Sequence, residues 1–220
     1  MRKGWRQDKR DGPIVSQNFE LPTITGIALS IDAEVILTEG DSQEVRIEAQ
    51  QNIINNIEKY VSNGIWGIDF YNNVGSHSSI RIFITSKMLD YASISGSGFI
   101  HTDNMFTDTT NLYLKISGSG SISVHTIADL IESDISGSGQ IMASGQANEH
   151  RIYISGSGNV RAFGLETENT SVDISGSGNS EVFVKNYLDV KISGSGSVYY
   201  KGNPQINVNI SGSGGVIDSN

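Results

Sequence analysis

Ile94-Ser95-Gly96-Ser97-Gly98 is the stretch whose reading decides the fold. The same pentapeptide returns at Ile116, Ile135, Ile154, Ile174, Ile192 and Ile210, at intervals of 22, 19, 19, 20, 18 and 18 residues. Self-similarity at a fixed period near 19 is the signature of a repeat architecture. Two residues before each isoleucine stand Ala92, Leu114, Ser133, Ile152, Val172, Val190 and Val208. Six residues after it stand Ile100, Ile122, Ile141, Val160, Ser180 and Val198, and eight after it Thr102, Val124, Ala143, Ala162, Val182 and Tyr200. This is alternation with a period of two, the mark of a strand with one buried face. The glycines share the inward phase, so they either leave room where a side chain cannot fit or supply positive φ at a bend. Each repeat therefore reads as strand, glycine corner, strand. A helix is excluded, because paired glycines would cost it about 1 kcal/mol each.

A repeat of this length cannot bury its own apolar face, whereas copies stacked in register can. The outward positions agree with stacking. Lys115 would lie beside Asp134, Asp173 beside Lys191, Glu132 beside Arg151, Arg161 beside Glu181, and Tyr91 beside Tyr113. Opposite charges and matched aromatics are what neighbouring strands favour. The expected fold is all-β: a parallel β-helix (β-solenoid) with seven coils. It is right-handed, because parallel crossovers almost always are. With strands about 4.8 Å apart, the seven coils make a rod roughly 30 Å long.

Around this core the chain divides into a basic leader (1–12), irregular N-terminal coils (13–90) and the regular glycine-serine coils (91–220), with 13–220 forming one continuous domain. The leader holds Arg2, Lys3, Arg6, Lys9 and Arg10 with Asp8 and Asp11, and reads as a flexible tether. No apolar run follows it, so it does not read as a signal peptide. The net charge of the whole chain is −9; without the leader it is −12. An acidic body disfavours nucleic acid, whose phosphates require basic surface. No stretch approaches the roughly 20 apolar residues of a membrane helix. Cysteine is absent, so there is no disulfide framework or thiolate metal site.

In the N-terminal region Ile27, Leu29 and Ile31 alternate, followed by Val35 and Leu37, a turn at Glu39-Gly40-Asp41, and Val45, Ile47 and Ala49. Ile65 to Tyr71 and the series Ile80, Ile82, Ile84 predict two more strands. Asn52 to Val61 breaks the alternation. Ile53, Ile54, Ile57 and Tyr60 recur at helical spacing, which predicts one short helix capped by Asn52.

Gly40-Asp41, the segment Ile53-Ile54…Ile57-Glu58, the junction from Leu89 to the first pentapeptide, and the Ser-Gly-Ser-Gly repeats together resemble the putative auto-transporter adhesin head family, the head GIN domain. The resemblance spans residues 14–218. It implies an exported β-solenoid protein, in the periplasm or on the outer cell surface, of the kind often anchored by an N-terminal lipid in Bacteroidetes-type bacteria. It carries no catalytic motif. The export signal and the lipid-bearing cysteine of that setting do not appear in this chain, which reads as a mature-like piece.

Chemistry-bearing residues are few. Serines recur in every coil, which suits a structural ladder, whereas a nucleophile is needed once. None stands in a strand-elbow-helix context. His101 and His125 fall in adjacent coils without a third metal ligand. The interrupted first repeat carries Asp103, Asn104 and Asp108, oxygen donors that could hold Ca²⁺, although the fixed EF-hand order is missing. The same loop could offer Met105 and Phe106 to a partner; the simpler reading is a solvated insertion with Phe106 tucked back onto the rod. Tyr91, Tyr113 and Tyr153 line the outside of the rod, where they could stack on sugar rings. The expected function is therefore a non-enzymatic adhesin or ligand-binding scaffold, with a glycan or a surface protein as partner and no obligatory cofactor. A carbohydrate-active β-helix enzyme is the first alternative. The second is a homo-oligomeric scaffold joined through the last coil, whose edge is open.

Overall fold

The computed structural model describes residues 12–75 and 77–220; the leader, apart from Gly12, lies outside them. The protein is a β-solenoid with one short helix. Seven pentapeptides stack directly on one another. In sequence order, Ile94 pairs with Ile116, then Ile135, Ile154, Ile174, Ile192 and Ile210, each time in parallel and in register. From Ile94 to Ile192 these isoleucines are buried, and they form the spine of a single apolar cluster.

The strands that carry the coils are β8 (Tyr91–Gly96), β9 (Phe99–Thr102), β10 (Asn111–Gly118), β11 (Ser121–Gly137), β12 (Gln140–Gly156), β13 (Asn159–Gly176), β14 (Asn179–Gly194), β15 (Ser197–Lys201), β16 (Gln205–Gly212) and β17 (Gly215–Asp218). The long ones are bent. In β13 the buried series Val160, Ala162, Leu165, Thr167, Thr170, Val172, Ile174 slips phase twice. The chain therefore turns two corners between pentapeptides, and the pentapeptide is the third. The face leading into each pentapeptide is called the front face below.

The two glycines of the pentapeptide do different jobs. The first adopts φ between +122° and +136° in all seven copies, a region closed to other residues. The second lies against the preceding coil: a Cβ on Gly120 would sit 2.6 Å from Ile94 Cγ2 and 2.9 Å from the Gly98 carbonyl oxygen.

The N-terminal region departs from chain order. β2 (Gly26–Leu29) and β3 (Glu34–Glu39) form a layer that pairs in parallel with β8 and β9 on one side. On the other side it pairs in parallel with β6 (Ile65–Ile68) and β7 (Arg81–Ser86). The first layer in sequence is thus the second in space. Beyond it the pairing becomes antiparallel: β4 (Glu44–Gln50) lies on β7, β1 (Ile14–Phe19) on β4, and β5 (Val61–Ser62) on β6.

The helix α1 is shorter than its spacing predicts, Gln51–Asn56, and Gln50 rather than Asn52 holds the cap position without a side-chain bond. Ile53, Ile54 and Ile57 are buried, but Tyr60 lies beyond the helix and is exposed. The chain turns out of the helix because Ile57 bridges to Phe70. The Lys59 ammonium then takes the carbonyls of Ile54 and Ile57, at 2.6 and 2.7 Å.

Candidate functional site

The outward rows of the front face are set by register alone, so their neighbours can be read residue by residue. One row runs Tyr91, Tyr113, Glu132, Arg151, Ser171, Asp189, Asn207. Two residues on, the next row runs Ser93, Lys115, Asp134, Tyr153, Asp173, Lys191, Asn209. Tyr113 and Tyr153 are exposed. From strand spacing and rise they stand roughly 12 Å apart on a rigid surface, with Glu132 and Asp134 on the strand between them. Tyr91 is half-buried between Gly26 and Tyr113.

Electrostatically this face is nearly self-neutralised. Lys115 meets Asp134 at 3.2 Å and Lys191 meets Asp173 at 3.2 Å, so a carboxylate held by a lysine flanks Tyr153 on each side. Arg151 behaves otherwise than expected. Its register neighbour is Glu132, but its guanidinium turns along its own strand to Glu149, at 2.8 and 3.0 Å. That bidentate geometry outcompetes a single cross-strand contact, and Glu149 raises the arginine pKa by hydrogen bond and charge. Glu132 is left available.

The loop after β9 is fastened to β3. Asn104 accepts from the Glu39 amide at 2.7 Å and donates to the Glu39 carbonyl at 3.1 Å. The Glu39 carboxylate accepts from the amides of Thr107 and Asp108 at 2.7 and 3.2 Å, and Asp108 faces Lys87 at 3.6 Å. The Asn104 amide group is therefore committed to backbone. Among the described residues no three His, Cys, Asp or Glu side chains gather as a metal cluster. Phe106 is not available to a partner but tucked onto the rod and fully buried, the simpler of the two readings above: its backbone joins Thr126 in a parallel bridge, which drives the ring into the core. Met105 beside it is half-buried. The anchoring role of Glu39 had no sequence signal, because its partners lie 65 to 69 residues away.

His101 pairs in register with Ser123 and stacks on Phe99 with ring centroids 4.8 Å apart; His125 pairs with Ser144 on the neighbouring coil. His150 is different. It is fully buried, in the inward row between Ile131 and Thr170, and its Nε2 lies 3.0 Å from Ser133 Oγ. Burial pushes its pKa down to about 3. A serine within reach of a neutral imidazole has the chemistry of a nucleophile and base, but both residues are sealed inside the rod, so no substrate reaches them. The inward phase of Ser133 was the signal in the sequence: a polar residue in an apolar row needs a polar partner nearby.

A further groove, about 340 Å³, lies on another face and was not anticipated. Asp129, Asn148, Glu166, Glu168 and Lys185 line it. Asn148 donates to Asp129 at 2.8 Å, and Lys185 pairs with Glu166 and Glu168, so its polar groups largely satisfy one another.

Solved structures share the architecture. A putative adhesin from Bacteroides fragilis superposes with a TM-score of 0.86 at 22% identity, covering 96% of this chain and 99% of that one. A putative adhesin from Parabacteroides distasonis gives 0.76 at 24% identity, covering 96% and 98%. A putative lipid binding protein from the same species gives 0.78 at 21% identity with the same coverage. Comparison with curated proteins finds no match. The stacked pentapeptides thus carry a family signature as well as a fold: the chain belongs to the family described as "Putative auto-transporter adhesin, head GIN domain", whose family model matches residues 23–204.

Proposed function

We propose that the chain is a non-enzymatic adhesive module, exported to the cell envelope, that binds glycan through its front face. The observation that carries this reading is the pair of exposed tyrosines, Tyr113 and Tyr153, spaced across Glu132 and Asp134, with Asp173 on the far side of Tyr153, on one register-locked sheet. Tyrosine offers a broad amphipathic surface at low entropic cost. Carboxylates beside it accept hydrogen bonds from sugar hydroxyls. A slightly acidic surface suits neutral sugars better than uronic acids, and a stiff sheet presents its contacts without an ordering cost.

Binding to a glycan array is the test. Wild type is expected to retain a subset of neutral glycans, and Tyr113→Ala with Tyr153→Ala is expected to lower retention at least tenfold without changing the unfolding midpoint. Absence of retention on every glycan would overturn the glycan assignment. Product released from a glycan by wild type but not by Glu132→Ala or Asp134→Ala would overturn the non-enzymatic part. Lipid vesicles, the ligand class for which one structural neighbour is named, form a separate arm of the same experiment.

A further inference from the structure

The inner row of the rod is dry everywhere except at its last coil. Leu188, Val190 and Ile192 on β14 are 0%, 1% and 1% exposed, whereas their register partners Ile206, Val208 and Ile210 on β16 are 36%, 44% and 38% exposed. Among the described residues no strand covers the outer side of β16. From Gln205 to Ile217 the chain has no charged residue, although charge is the usual device that keeps an edge strand from pairing.

The other end of the rod is closed. β5 lies antiparallel on β6, β4 and β1 lie antiparallel beyond β7, and α1 buries Ile53 and Ile54 there. Among the described residues the outermost strands there, β1 and β5, are antiparallel to their neighbours and carry no pentapeptide, so they do not offer the last coil the parallel, in-register layer that a head-to-tail stack leading to an open filament would need.

The residues at the open edge are Ile206-Asn207-Val208-Asn209-Ile210, a palindrome. In an antiparallel pair related by a two-fold axis at Val208, Ile206 faces the other copy's Ile210, Val208 faces its own counterpart, and Asn207 faces Asn209. Every apolar side chain meets an apolar one on the inner face, and every asparagine meets an asparagine outside. Opposed residues lie on the same face of a sheet, so the two apolar cores would become continuous.

We propose that β16 is a self-complementary interface through which two copies of this chain join end to end as a closed two-fold dimer, with the front faces of both rods left free. Sedimentation velocity of the full chain over a wide concentration range is expected to show a species of twice 23.7 kDa. Val208→Lys is expected to sediment as monomer at every concentration while keeping the β-rich circular dichroism of wild type. A second measurement does not depend on that variant folding. The chain contains no cysteine, so Asn207→Cys mixed with Asn209→Cys is expected to yield a disulfide-linked dimer on oxidation, and neither chain alone should do so, because the two-fold register opposes 207 to 209. A wild-type monomer at all concentrations, a ladder of larger species, or equal cross-linking by Asn207→Cys alone would each overturn the proposal.

Discussion

At Gly118 the backbone has φ of +133°, and a Cβ would lie 2.6 Å from the Gly96 carbonyl oxygen of the coil beneath. Gly118→Ala is therefore expected to destabilise the rod by about 1–3 kcal/mol from backbone strain alone, with the contact adding to it. Ser117→Ala, one residue away and exposed, should stay within about 0.5 kcal/mol; urea midpoints of the two variants make the comparison. His150 gives the molecule a pH dependence of definite sign. In the unfolded chain the imidazole takes a proton near 6.5, but in the fold only near 3. Between those values the unfolded state binds more protons, so this contribution is full above about 6.5 and is lost as pH falls toward 3. Carboxylates titrate near 4, which leaves about pH 5 to 6.5 as the window where the histidine dominates. The urea midpoint of wild type should fall as pH is lowered across that window, and the double variant His150→Leu with Ser133→Ala should flatten the curve. The inward glycines and isoleucines were legible in the sequence because they recur. The Ser133–His150 pair was less so, because it occurs once and joins two different rows of adjacent coils.

At the level of the coil, burial is unequal although the sequence repeat is nearly constant. Ile154 is sandwiched between Ile135 and Ile174, so Ile154→Ala is expected to cost about 2–5 kcal/mol. Ile210, the same position in the last coil, has a neighbour on one side only within the chain, so in the monomeric Val208→Lys background Ile210→Ala should cost well under half as much in the same urea titration. The ion pairs on the front face matter less: Lys115→Met removes a contact between two solvated groups, worth about 0–1 kcal/mol, and the difference should vanish at high salt. Parallel register was readable from charge alternation along the rows, since adjacency between coils follows from the repeat. The departure of Arg151 toward Glu149 was not, because it depends on side-chain direction within one strand. The N-terminal layers carry no pentapeptide to mark their neighbours. Alternation located strands β2, β3, β4, β6 and β7, but it is blind to whether a strand runs parallel or antiparallel to the next.

For the whole molecule, the two rod ends are opposites: one sealed by α1, β1, β4 and β5, the other open at β16. Ile54 is almost fully buried at the sealed end, and Ile54→Asp places an unpaired charge there. The variant is expected to lose several kcal/mol and to scatter light in proportion to its concentration as the end opens. The tyrosine array was legible residue by residue once the repeat had been aligned, although the sequence ranked the Phe106 loop beside it. Phe106 is core, as the simpler reading of that loop has it; what local pattern does not show is the long-range bridge to Thr126 that holds it there. The placement of β2 and β3 between two layers that follow them in the chain bears on how the protein comes into being. A polypeptide emerging from the ribosome delivers that layer first, yet both of its flanking sheets are encoded downstream, from residue 65 on one side and 91 on the other. Neither flank of that layer can therefore be covered until residues beyond 65, and then beyond 91, have been made.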